Sequence, residues 1–101
     1  MFTSEIIETL QEGDGELEVC ATAETQYDSS AQRVSVALDS FARCLSASGG
    51  SEHVSRAWLP AAEQVTEYLS HDEATAFAKD VFQSWVRTVH AAIPHELRST
   101  T

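Results

Sequence analysis

Between Ser70 and Pro94 the sequence carries its most constraining signal. Ser70-His71-Asp72-Glu73 has the S-x-x-E form of a capping box, in which serine and glutamate each satisfy a backbone N–H that a helix start leaves without a partner. Two acids fall in the first turn, where the helix dipole favours negative charge. Ala74, Phe77, Ala78, Val81, Phe82, Trp85, Val86, Val89 and Ile93 then recur at three- and four-residue intervals, the period of one helix face. Pro94 cannot continue the pattern. The spacing predicts a helix of about five turns ending at Pro94, with residues 94–101 as a frayed tail.

The rest of the chain is punctuated sparsely. Its four glycines fall in two clusters, Gly13 with Gly15 and Gly49 with Gly50, and its only other proline is Pro60. Long uninterrupted stretches favour helices. Thr3 or Ser4 caps a first short helix with Ile6, Ile7 and Leu10 as its stripe, and Gly13-Asp14-Gly15 ends it. From Glu16 to Ser46, Leu17, Cys20, Ala21, Tyr27, Ala31, Val34, Leu38, Phe41, Ala42 and Leu45 approximate a helical spacing with a lapse at Glu24. "ELEVCATA" and "RVSVAL" also alternate, so a two-stranded hairpin competes; the lack of a tight Gly or Asn turn between them counts against it. Ser29 with Gln32 offers an internal capping box at which the long helix can break. Unbroken, it would run about 48 Å and need a second subunit to cover it, making a homodimer an alternative. Gly49-Gly50 stops the segment, Ser51 caps the next, and Val54, Trp58, Ala61, Ala62, Val65, Tyr68 and Leu69 keep one phase across a kink at Pro60.

These readings predict an all-α protein: one domain over residues 1–101, a small up-and-down bundle of four or five helices. Its expected core is Phe41, Leu45, Trp58, Val65, Phe77, Val81, Phe82, Trp85 and Val89.

Charge narrows function more than composition does. The net charge is −10, and Glu5, Glu8, Glu12, Asp14, Glu16, Glu18, Glu24 and Asp28 occupy the first 28 residues with no lysine or arginine among them. Phosphate-backbone recognition needs clustered bases, so nucleic acid and anionic membrane surfaces are disfavoured as partners. Cys20 and Cys44 form no C-x-x-C pair or disulfide framework. The N-terminus lacks a basic region and an apolar run of signal-peptide type, which points to a cytoplasmic protein.

"H-V-S-R-A" supplies His53, Arg56 and Ala57 and resembles the core of a histidine phosphotransfer domain, in which an exposed histidine carries a base at +3 and a small residue at +4. The resemblance implies His53 as phosphoacceptor with Arg56 offsetting the phosphate charge. It covers five residues, and the preceding glycine pair puts His53 in a first helical turn rather than mid-helix. Tyr68 and Asp72 share a spacing with small secreted helical-hairpin proteins, without the Trp-x-Gly turn of that family. Glu63, Glu67 and His71 recur every four residues but lack the Glu-x-x-His pair of a bundle metal site and read as a solvated face; no metal or cofactor is expected. The leading expectation is a non-enzymatic binding or regulatory protein of inhibitor, immunity or adaptor type. It would engage a basic protein partner through Glu5, Glu8, Glu12, Asp14, Glu16 and Glu18.

Overall fold

The computed structural model describes residues 1–13, 15–46 and 48–98, and it overturns the all-α expectation. About half of the chain is strand and about a quarter helix. Five strands, β1 (Phe2–Glu12), β2 (Gly15–Asp28), β3 (Arg33–Leu45), β4 (Ser51–Val54) and β5 (Glu63–Tyr68), precede α1 (His71–Ala92) and the single turn α2 (His95–Arg98). The sheet is antiparallel throughout. β1 pairs β2, β2 pairs β3, and the outer edge of β3 is shared end to end by β5, against Arg33–Leu38, and β4, against Ala42–Leu45.

The helical bundle fails for a definable reason. Leu17, Val19, Ala21 and Ala23 alternate along β2, and Val34, Val36, Leu38 and Ala42 along β3; all are buried. Because β2 and β3 pair in register, with Val19 opposite Ala42 and Ala23 opposite Leu38, these residues share the face that α1 covers. On the other face Cys20 and Thr22 are also buried. A run of apolar and small residues on both faces imitates the three-four spacing of a helix. The β-branched content, with Thr3, Ile6, Ile7, Thr9, Val19, Thr22, Thr25, Val34 and Val36, is what favours strands.

The turn between β2 and β3 uses neither glycine nor asparagine. Gln32 takes the left-handed conformation, φ 48°, and Asp28 organises the four residues after it. Its Oδ1 accepts from the Ser30 hydroxyl at 2.7 Å, the Ser30 N–H at 3.1 Å and the Ala31 N–H at 3.2 Å, while Arg33 lies 3.7 Å from Oδ2. The Ser30 hydroxyl foremost, then the Ala31 amide, hold the Asp28 carboxyl below its ordinary range. A depressed folded-state value stabilises the fold above the ordinary carboxylate pKa, and this contribution is lost as pH falls through the folded one. Asp28→Asn should therefore flatten the fall in urea midpoint between about pH 5 and 3; identical slopes in the two proteins would show that Asp28 plays no such part.

The glycine clusters close hairpins instead of helices. Gly13, φ 60°, lies between β1 and β2. Gly49, φ 92°, lies between β3 and β4, where its N–H donates to the Ser46 carbonyl at 3.0 Å. Pro60 does not kink a helix. The chain turns at Arg56–Leu59, the Pro60 carbonyl accepts from the Ser40 hydroxyl at 3.4 Å, and β5 follows.

The helix predicted over Ser70–Pro94 is present as α1. Ser70 is its N-cap with both halves of the capping box formed, and Ile93 is its C-cap. Ala74, Trp85, Val89 and Ile93 bury against the sheet. The deepest side chains are Leu17, Val19, Val34, Val36 and Val89. Of the expected core, Trp85 and Val89 belong to it; Trp58, Val65, Phe77, Val81 and Phe82 pack partly buried around it. Phe41 and Leu45 lie on the sheet's far side, opposite Cys20 and Glu16. The expected frayed tail supplies Leu97 to the core from α2; Ser99, Thr100 and Thr101 lie outside the described residues.

Candidate functional site

α1 covers one face of the sheet and leaves the other open. Strand register resolves the open face into rows running across β1, β2 and β3: Phe2, Glu24 and Ala37; then Ser4, Thr22 and Asp39; then Ile6, Cys20 and Phe41; then Thr9, Glu18 and Arg43. His53 continues the last row on β4 and Gln64 the first on β5. Phe2 and Ile6 are 65% and 53% exposed, and both lie on this face. The Phe41 ring meets the His53 ring with centroids 4.9 Å apart. At the Phe2 end a cleft of about 450 Å³ is walled by Phe2, Thr22, Ala37 and Gln64 and carries three carboxylates, Glu24, Asp39 and Glu63, with no base among its lining residues.

Alternation divides the acids that the sequence grouped together. A bulge at Ile7 shifts the β1 register between Ile6 and Glu8, so that Glu5, Glu8 and Glu12 all fall on the α1 side, opposite Ala21, Val19 and Gly15. Glu16 and Glu18 fall on the open face. Asp14 lies outside the described residues. Several acids are already engaged within the fold: Glu8 lies 3.6 Å from the His90 ring, Glu12 pairs with Arg56, and Glu18 with Arg43. Glu5 and Glu16 are exposed. Among the described residues the N-terminal third thus does not present one continuous acidic surface.

His53 and Arg56 are not brought together as one helical turn would bring them. His53 is exposed on β4 opposite Arg43, and Arg56, beyond the strand, turns to Glu12. Glu63 and Glu67 lie on β5 and His71 begins α1; among the described residues no cluster of three or more potential ligands could hold a metal.

The sheet places the two thiols on opposite faces. Burial, reinforced by the Glu18 charge and opposed by Arg43, pushes the Cys20 thiol up. Desolvation and the 3.6 Å contact to Glu12 Oε1 do the same for Cys44. Both are held protonated at neutral pH, the reverse of what a nucleophilic cysteine requires. Phe2, Ile6, Glu24 and Asp39 are the distinctive residues of the open face, and helical reasoning missed them because it paired Ile6 with Ile7 in one buried stripe. Phe2-Thr3-Ser4-Glu5-Ile6 carries no apolar alternation that would find them, since Ser4 is polar and Phe2 and Ile6 lie four residues apart, a spacing that a helix face shares.

No helix among the described residues is long and apolar enough to cross a membrane. No protein-family model, curated protein or solved structure matches the chain.

Proposed function

We propose that the protein is a non-catalytic binding module whose open sheet face takes a protein partner presenting basic and apolar side chains side by side. The observation that carries this reading is the exposure of Phe2 and Ile6 beside a cleft holding Glu24, Asp39 and Glu63 without a base. A partner's lysine or arginine finds charge in the cleft, and its neighbouring apolar residue finds Phe2 or Ile6. Three strands about 40 Å long and 4.8 Å apart offer roughly 600 Å², approaching the ~800 Å² per partner of a specific complex. A second copy of the chain fits this face poorly, since stacking two such faces would set Glu16, Glu24 and Asp39 against their like. The acids at work are those of the open face rather than the whole N-terminal third. A cytoplasmic setting accords with two free cysteines kept apart on opposite faces.

A synthetic peptide alternating lysine with phenylalanine tests the reading. It should bind saturably, weaken as salt rises from 50 to 300 mM, and lose about tenfold in affinity with Glu24→Gln/Asp39→Asn or with Phe2→Ser. Glu5→Gln/Glu12→Gln should bind like the parent. Binding that ignores both open-face changes would refute the assignment.

A further inference from the structure

On the α1 side of the sheet, packing is incomplete at one end. Ala74 and Ala78 of α1, Ala23 and Thr25 of β2 and Thr3 of β1 line a gap there. The result is a trough of about 400 Å³ between Tyr27 and Phe82. Close-packed interiors hold few voids larger than a water molecule, whereas volumes from about 300 Å³ upward are those of ligand sites. The trough follows α1 from Ala74 to Phe82, about 12 Å at the helical rise. One end is fixed: the Tyr27 hydroxyl donates to the Leu69 carbonyl at 2.9 Å and the Tyr27 ring meets His71 edge-on at 5.3 Å. It reaches solvent beside the exposed Thr3, Thr75 and Lys79.

The charge at its rim is opposite to that of the molecule. In a chain with sixteen acids and a single lysine, that lysine, Lys79, lines the trough and no acid does. The fully exposed Asp72 lies nearby, 3.9 Å from His71 Nδ1. No ion pair engages Lys79 among the described residues.

We propose that this trough binds a small single-chain amphiphile, its apolar body lying on Ala23, Thr25, Ala78 and Phe82 and its carboxylate or other anionic head held by Lys79. The site is on the opposite side of the sheet from the proposed partner face and stands independently of it. Apolar contact supplies affinity, and a charge-assisted hydrogen bond from Lys79 supplies the preference for an anion.

Titration of the ¹⁵N-labelled full chain with decanoate, decanol and decyltrimethylammonium tests it. Decanoate should give saturable amide shifts at Ala23, Thr25, Ala78 and Phe82, decanol should bind about tenfold more weakly, and the cation should not bind in the trough. Lys79→Gln should weaken decanoate several-fold toward the affinity of decanol and leave decanol unchanged, the remaining preference being that of the Met1 ammonium, which also lines the trough and donates to the Thr25 carbonyl at 2.7 Å. Ala78→Trp should abolish both, and Thr25→Phe, which fills the trough from the sheet side, provides the same test if the helix variant does not fold. Shifts that fail to saturate, shifts on the open face instead, or a decanoate affinity indifferent to Lys79→Gln would each overturn the proposal, as would displacement of decanoate from the trough by the lysine–phenylalanine peptide.

Discussion

Trp85→Ala should be among the most damaging single substitutions in this protein, removing about 5 kcal/mol from a stability that for a domain this size is of order 5–15 kcal/mol. Two losses add. The indole is 3% exposed and is the widest side chain joining α1 to the sheet, so truncation leaves a cavity worth about 3–5 kcal/mol. Its Nε1–H also donates to the Asp39 carbonyl at 2.7 Å. That carbonyl lies on the outer edge of β3 in the interval between Leu38, where β5 pairing ends, and Ala42, where β4 pairing begins. Neither short strand reaches it, and a part-buried carbonyl left without a donor costs about 1 kcal/mol. Trp85→Phe separates the terms: it keeps an aromatic ring and drops the donor, and should cost about 2 kcal/mol. Urea denaturation followed by circular dichroism measures both. Equal losses for the alanine and phenylalanine variants would mean that the hydrogen bond, rather than packing, dominates. A loss under about 1 kcal/mol for alanine would mean that α1 is not anchored through Trp85.

How far the sequence discloses this structure depends on which forces specify each element. α1 is legible because every level agrees: a capping box, a single apolar stripe, acids in the first turn and a terminal proline all act within one segment. β2 and β3 are not legible in the same way. What makes them strands is pairing between residues as far apart as Glu16 and Leu45, and local spacing records that partnership only as alternation. Burial of Cys20 and Thr22 on the second face then blurs the alternation. The turn joining the strands rests on an aspartate network and a left-handed Gln32 rather than on glycine, so the usual hairpin signal is missing. Residues 51–69 misled through periodicity: Val54, Trp58 and Val65 keep a helical phase across Pro60, yet Val54 and Val65 sit on different strands and Trp58 in the turn between them. The site follows the fold. The net negative charge is visible in the sequence, but which acids share a surface is decided by strand parity and by the single bulge at Ile7. Glu5, Glu8 and Glu12 therefore part company with Glu16, Glu18 and Glu24.

The same contrast between local and pairing-dependent information separates Gly13 from Gly15, which the sequence presents as equivalent terminators. At Gly13 the demand is conformational: φ is 60°, and an added Cβ meets nothing within 4 Å. Gly13→Ala should cost about 1 kcal/mol, the price of a left-handed backbone for an L-residue, and Gly13→Asn less. At Gly15 the demand is steric. A Cβ there would overlap the Leu45 carbonyl oxygen and approach the carbonyl carbon to 3.4 Å and Ser46 Cα to 3.7 Å. These are backbone atoms, which no rotamer change can move aside. Gly15→Ala must spread the end of the β2–β3 ladder where Glu16 opposes Leu45, and β4 pairs with β3 over the same residues. A cost of about 3 kcal/mol is expected, enough at roughly 4–8 °C per kcal/mol to lower the melting temperature by more than 10 °C. Hydrogen exchange should locate the loss, with faster exchange at Cys44, Leu45, Glu52 and His53 in Gly15→Ala and little change there in Gly13→Ala. If the two variants melt together, or if Gly13→Ala is the worse, then the close approach of Gly15 to Leu45 does not constrain the sheet, and the two glycines serve only as turn formers.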